Sequence, residues 1–141
     1  MKSSTLNVIL RSLLGLIFFV FGLNKFLHFI PNPPLPEPAT DFFGAMFKTG
    51  YFIPMLATTE VVSGALLLTG IATPFALILL APVVFNIFMF NLFLAPGNLA
   101  VPLVVAALEL ILAFLHRDAF APLFSGTAVG TPAAVGATAH A

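Results

Sequence analysis

The sequence has no cysteine in its 141 residues. That excludes a disulfide framework and any thiol or thiolate chemistry carried by the chain itself. Charge is almost as scarce. Only 7% of the residues are charged, where a soluble domain carries roughly 25%. The formal net charge is zero and there is no basic patch, so nucleic acid is not an expected partner. The three histidines, His28, His116 and His140, do not cluster in the sequence. No metal site is expected from them, nor a haem held by two histidines of one chain. No catalytic triad, phosphate loop or dinucleotide fingerprint is visible.

What fills the chain is apolar: 60% of residues are hydrophobic, and the mean hydropathy is +1.14. A globule of this size cannot hide so much apolar surface, so its main solvent must be lipid. Four segments suit spanning helices of about 20 residues: about 6–29, 52–70, 75–94 and 99–115. The first begins after Lys2 like a signal peptide. It is too long for a signal h-region and ends without a small-x-small cleavage site, so a retained helix is expected. "GIATP" (70–74) and "APGN" (95–98) are short Gly/Pro turns that make antiparallel hairpins of the segments they join.

The first connection differs. It opens with five prolines in eight residues, 31–38, which cannot be helical. It ends in "DFFGAMF" (41–47), too short to span, which suggests a helix lying at the membrane interface. The predicted fold class is therefore an all-α membrane protein. It comprises a four-transmembrane-helix antiparallel bundle over residues 1–116, with a short interfacial helix in the first outer loop. Residues 117–141 turn Ala/Thr/Gly/Pro-rich and are expected to form a disordered tail. Lys2, Arg11 and Arg117 fall on one side, and Glu37, Asp41 and Lys48 in the long connection. Positive charge is richer on the terminal side, so both termini are expected in the cytoplasm.

Arg11, Lys25, Glu60 and Glu109 fall inside these segments. A central charge costs about 2.5–3.5 kcal/mol on insertion scales, so partners are expected. At 1.5 Å per residue, Arg11 and Glu109 lie roughly 8 and 9 Å from one face. Lys25 and Glu60 lie roughly 8 and 12 Å from the other. Depth thus sorts them into two opposite-sign pairs, Arg11–Glu109 as a structural ion pair and Lys25–Glu60. Facing agrees: Arg11, Gly15, Gly22 and Lys25 share one helix stripe, and Glu60, Ser63, Gly64 and Gly70 another. Pro102, Ala106, Glu109, Ala113 and His116 form a third. Small residues on such stripes let membrane helices approach closely.

Asn24, Lys25, His28 and Glu60, with Asn86 or Asn91, form a candidate ligand-binding cluster in the outer half. Asn86 and Asn91 point about 140° apart on their helix, so they cannot both face one line. Two readings stand. The cluster is helix glue, or it is a small pocket for a polar head group.

The stretches "RSLLGLIFFVFGLNKFLHF" (11–29) and "TGYFIPMLATTEVVSGALLLTGIATPFALILLAPVVFNIFMFNLFL" (49–94), with the four-span layout, resemble the DoxX family of small bacterial membrane proteins. The resemblance covers roughly residues 6–115. It rests on the Gly–x–x–Lys end of the first helix, the Glu before a Gly-rich stretch in the second, and the Ala-Pro…Asn of the third. It implies a four-helix bundle in the bacterial inner membrane, linked to quinone-, thiol- or sulfur-dependent redox systems. It supplies no agreed catalytic residues. The chain is therefore read as an accessory subunit of an oxidoreductase complex, not catalytic on its own, with quinone as the candidate ligand and no metal. Beyond the lipid bilayer, the partners considered are a redox protein, another membrane protein or a second copy in a homo-oligomer. Two alternatives remain at this point: a non-enzymatic scaffold or assembly factor, and a small transporter or lipid-binding protein.

Overall fold

The computed structural model describes residues 4–29 and 34–125. Their regular structure is all helical, with no strand among the described residues. The helices are α1 (Ser4–Leu27), α2 (Glu37–Lys48), α3 (Phe52–Thr69), α4 (Thr73–Leu94), α5 (Ala100–Leu115) and α6 (Arg117–Ser125). A single 3₁₀ turn, Pro96–Asn98, joins α4 to α5.

Contacts fix the arrangement. α1 packs along α3, α3 on α4, α4 on α5, and α5 returns to α1. Gly15 faces Gly64 and Gly22 faces Val61, so residue numbers rise on α1 as they fall on α3 and the two are antiparallel. His116, at the end of α5, meets Asn7, near the start of α1. The molecule therefore has two ends, one carrying α2 and the other the start of α1 and the end of α5. The core between the four helices is apolar and mostly aliphatic, with Leu14, Phe18, Leu67, Leu77, Leu80, Val84, Val105 and Leu112 buried. Large apolar residues such as Leu16, Phe75, Phe85, Val104 and Leu110 face outwards, the reverse of a soluble globule's economy and what lipid as solvent requires.

Helix ends follow local chemistry. α3 stops at Gly70, whose φ of +80° is a left-handed C-cap that a side chain would strain. α2 begins with Pro36 at its N-cap and proline in its first turn, where the missing N–H costs nothing. Glu37 lies in its first turn and Lys48 in its last, both favourable to the helix dipole. Phe42 and Phe43 stand 5.6 and 5.1 Å from the Phe90 ring, tying α2 to the far end of α4.

Among the described residues three helices, α1, α3 and α4, are long and apolar enough to cross a membrane. A fourth crossing is counted only if α5 and α6, bent by 78° at their junction, form one span. At 16 residues, α5 is about 24 Å long, short of the ≈ 30 Å hydrocarbon core. The chain is thus a multi-pass membrane protein. Residues 117–125, expected as the start of a disordered tail, are helical instead. Phe120 packs against the core, an anchor that Ala/Pro-rich composition concealed. The rest of the expected tail, 126–141, lies outside the described residues, as does the proline-rich stretch 30–33.

Candidate functional site

The α1–α3 seam is made by absent side chains. A Cβ on Gly64 would lie 2.6 Å from the Phe19 backbone nitrogen, and one on Gly15 2.9 Å from the Gly64 carbonyl oxygen. Gly22 is closed in the same way by Val61 and the Ala57 carbonyl. With the backbones this close, the polar groups at either end of the seam can reach across it.

At the α2 end they do. Lys25 Nζ donates to Glu60 Oε1 at 2.8 Å, with side chains 23% and 3% exposed. It is the one carboxylate–ammonium bridge among the described residues. Helical side chains lean towards their own N-terminus. On antiparallel helices Lys25 therefore leans inwards and Glu60 outwards, and the two tips meet.

The same rule separates Arg11 from Glu109, and the expected ion pair between them does not form. Arg11 leans back towards the start of α1, while Glu109, on antiparallel α5, leans towards the α2 end. Arg11 Nη1 instead donates to the carbonyls of Leu67 (2.7 Å) and Leu68 (3.4 Å). These belong to the last turn of α3, where orphan carbonyls favour a cation. Its guanidinium lies where a Cβ on Gly70 would stand, 2.6 Å away, so the glycine serves both the turn and the cap. Glu109 is only 7% exposed, and its Oε1 has no hydrogen-bond partner among the described residues. His116 takes the place beside Arg11's turn. Its Nε2 lies 3.2 Å from Asn7 Oδ1. It sits beyond the last residue of α5, where burial lowers its pKa and the Arg11 charge adds to the same effect. Asn7 was not singled out in the sequence. Its spacing of four from Arg11 was the available signal.

The remaining candidates do not converge on the ion pair. Asn24 is half-buried one residue before Lys25. His28 is exposed at the end of α1 with a φ of +54°, its N–H donating to the Asn24 carbonyl at 2.7 Å. Asn91 turns its amide back onto its own helix, Nδ2 donating to the Ile87 carbonyl at 2.8 Å. Asn86 opens elsewhere, into a groove of ≈ 250 Å³ between α2 and α4, lined also by Phe42, Met89, Phe90, Phe93 and Leu94. Apart from Asn86, that lining is apolar, and its side-chain amide meets no partner among the described residues. The polar cluster expected as one site is thus two: a closed ion pair in the α1–α3 seam and a single amide in an aromatic groove.

The seam residues lie within residues 6–92, which match the family model DoxX. The chain belongs to the DoxX family. The matched stretch covers α1 to α4 almost entirely and stops before α5, so the resemblance seen in the sequence extends further than the family model. Comparison with curated proteins and with solved structures found no match. In this DoxX-family chain the Gly–x–x–Lys of α1 and the Glu of α3 are the two halves of one contact. The Pro–x–x–x–Asn of α4, residues 82–86, leads into the groove.

Proposed function

We propose that the protein is an accessory subunit of a redox system in the bacterial cytoplasmic membrane. It holds a quinone or lipid head group in the groove between α2 and α4. In this reading α5 supplies the fourth crossing, α2 lies at the outer surface, and both termini are cytoplasmic. One observation carries the ligand: the Asn86 amide, which meets no partner among the described residues, opens into an otherwise apolar groove walled by Phe42, Phe90 and Phe93. Asn86 precedes the end of α4 by eight residues, about 12 Å of helix, so it faces hydrocarbon rather than water. A bare amide there is costly. A ring carbonyl or an ester oxygen accepts from its N–H and leaves the flat body of the ligand against phenylalanine faces. The chain's own part is binding and orientation; with no cysteine, electrons must come from the ligand and a partner.

The test is thermal stabilisation of the detergent-purified protein by a short-chain quinone and, separately, by a short-chain phospholipid. A ligand at 100 times its Kd adds about 2.7 kcal/mol by mass action. Asn86→Leu should fold normally and bind roughly tenfold more weakly, the worth of about one hydrogen bond. If neither ligand raises the Tm, or if Asn86→Leu binds as well as the parent, the groove is not the site and the scaffold reading takes its place.

Orientation is tested separately. Single cysteines placed in this cysteine-free chain at Thr40, on α2, and at Ala137, near the C-terminus, report on opposite sides. An impermeant thiol reagent added to intact cells should label position 40 and spare position 137. The reverse pattern overturns the orientation.

A further inference from the structure

We infer that α6 is a second membrane-contacting element, lying flat in the head-group layer at the end opposite α2 with Leu123 and Phe124 dipped into the acyl boundary. α5, at 16 residues, covers about 24 Å of a hydrocarbon core of about 30 Å, so a helix that enters at the α2 end reaches His116 within about 6 Å of the opposite boundary. There the chain bends by 78°. A helix turned that far from one crossing the bilayer runs along the surface.

The bend is built rather than loose. Arg117 folds back over α5, with Nη1 donating to the Phe114 carbonyl at 3.0 Å and Cζ 4.3 Å from the Phe114 ring centre. Its cation thereby adds a second donor to a carbonyl at the helix end that already accepts a capping backbone N–H. The Ala119 N–H meets the His116 carbonyl at 2.9 Å, starting α6 at once. Phe120 then reaches the core and fixes which way α6 lies. Leu123 and Phe124 are left 62% and 85% exposed, about one turn beyond an anchored residue.

Lipid is the occupant because α6 continues directly from a helix already in the bilayer, and because its polar groups suit the surface. Arg117 and Asp118 sit in its first turn and cancel, so neutral lipid suffices. Pro122 offers no N–H to the Asp118 carbonyl, a loss tolerable among waters and head groups and expensive in hydrocarbon. The two large apolar side chains at its far end bury area without a protein partner.

The chain has no tryptophan, so Phe124→Trp creates a single tryptophan, excited apart from Tyr51, at an exposed position that cannot disturb the core. Leu123→Trp is the second reporter. The full chain is reconstituted in phosphatidylcholine vesicles carrying a quencher at a shallow or a terminal acyl position. Emission should be blue-shifted, quenched more by the shallow label than by the terminal one, and unchanged by adding phosphatidylglycerol. Stronger quenching by the terminal label makes α6 part of a re-entrant or spanning segment. Red-shifted emission fully open to acrylamide puts it in water. Blue-shifted emission untouched by either lipid quencher means that protein covers it. Each of these three results overturns the inference.

Discussion

Glu60→Lys is expected to abolish the folded yield of the protein, and adding Lys25→Glu to restore a substantial part of it. The two side chains meet at 2.8 Å with Glu60 almost wholly enclosed. Removing one partner strands the other charge, and breaking such a buried pair costs about 3–5 kcal/mol. A small domain is stable by only about 5–15 kcal/mol, so either single reversal takes a large share. The exchange works because the two positions lean towards each other from antiparallel helices, whichever carries the acid. The measurement is a double-mutant cycle on SDS-induced unfolding followed by circular dichroism, with membrane yield beside it. Favourable coupling between the two changes is the expected outcome. A double variant no better than the worse single would mean that the pair contributes nothing by pairing. If quinone stabilisation also survives the exchange, the pair is structural and the groove is independent of it.

Gly64→Leu should be nearly as damaging, by packing rather than charge. Even the first carbon of the new side chain would stand 2.6 Å from the Phe19 nitrogen and 2.8 Å from the Gly15 carbonyl. Those are backbone atoms, which cannot swing aside. The helices must part, and the separation breaks the Lys25–Glu60 contact and the Arg11 cap together. Overpacking typically costs about 1–3 kcal/mol, and here the lost polar contacts add to it. Gly64→Ala should show a reduced version of the same loss. Gly44→Ala is the control. It lies in α2 with nothing within 4 Å of its new Cβ, so the change should be neutral or stabilise by up to about 1 kcal/mol through helix propensity. The idea fails if Gly64→Leu and Gly44→Ala unfold at the same SDS fraction.

The Lys25–Glu60 contact was legible in the sequence because two independent signals agreed. Rise per residue gave similar depths, and helix periodicity gave facing stripes of small residues. Depth and facing stripes supported Arg11–Glu109 as well, and there they failed, because both locate Cα atoms, while a long side chain delivers its charge several ångströms nearer its helix start. The sequence also showed that Asn86 and Asn91 diverge around α4. It could not show which of them bonds its own backbone and which opens towards α2, since that depends on where Phe42 and Phe43 settle on Phe90. α6 was invisible for a similar reason. Its local composition favours a loop, and a single long-range contact by Phe120 outweighs it.

The glycine seam also decides where this molecule can move. Glycine has no rotamers to lose, so the closest contacts between α1 and α3, at Gly15, Gly22 and Gly64, forfeit no side-chain entropy of their own and set backbone against backbone. A shift of one helical turn would put the Cβ atoms of other residues where Gly15, Gly22 and Gly64 now admit backbone, so neighbouring registers are closed. The pair therefore behaves as a single stiff strut, clamped at one end by Lys25–Glu60 and at the other by Arg11 on the last turn of α3. α5 has no such lock: it carries no glycine and meets the core through the side chains of Val105, Leu108 and Leu112.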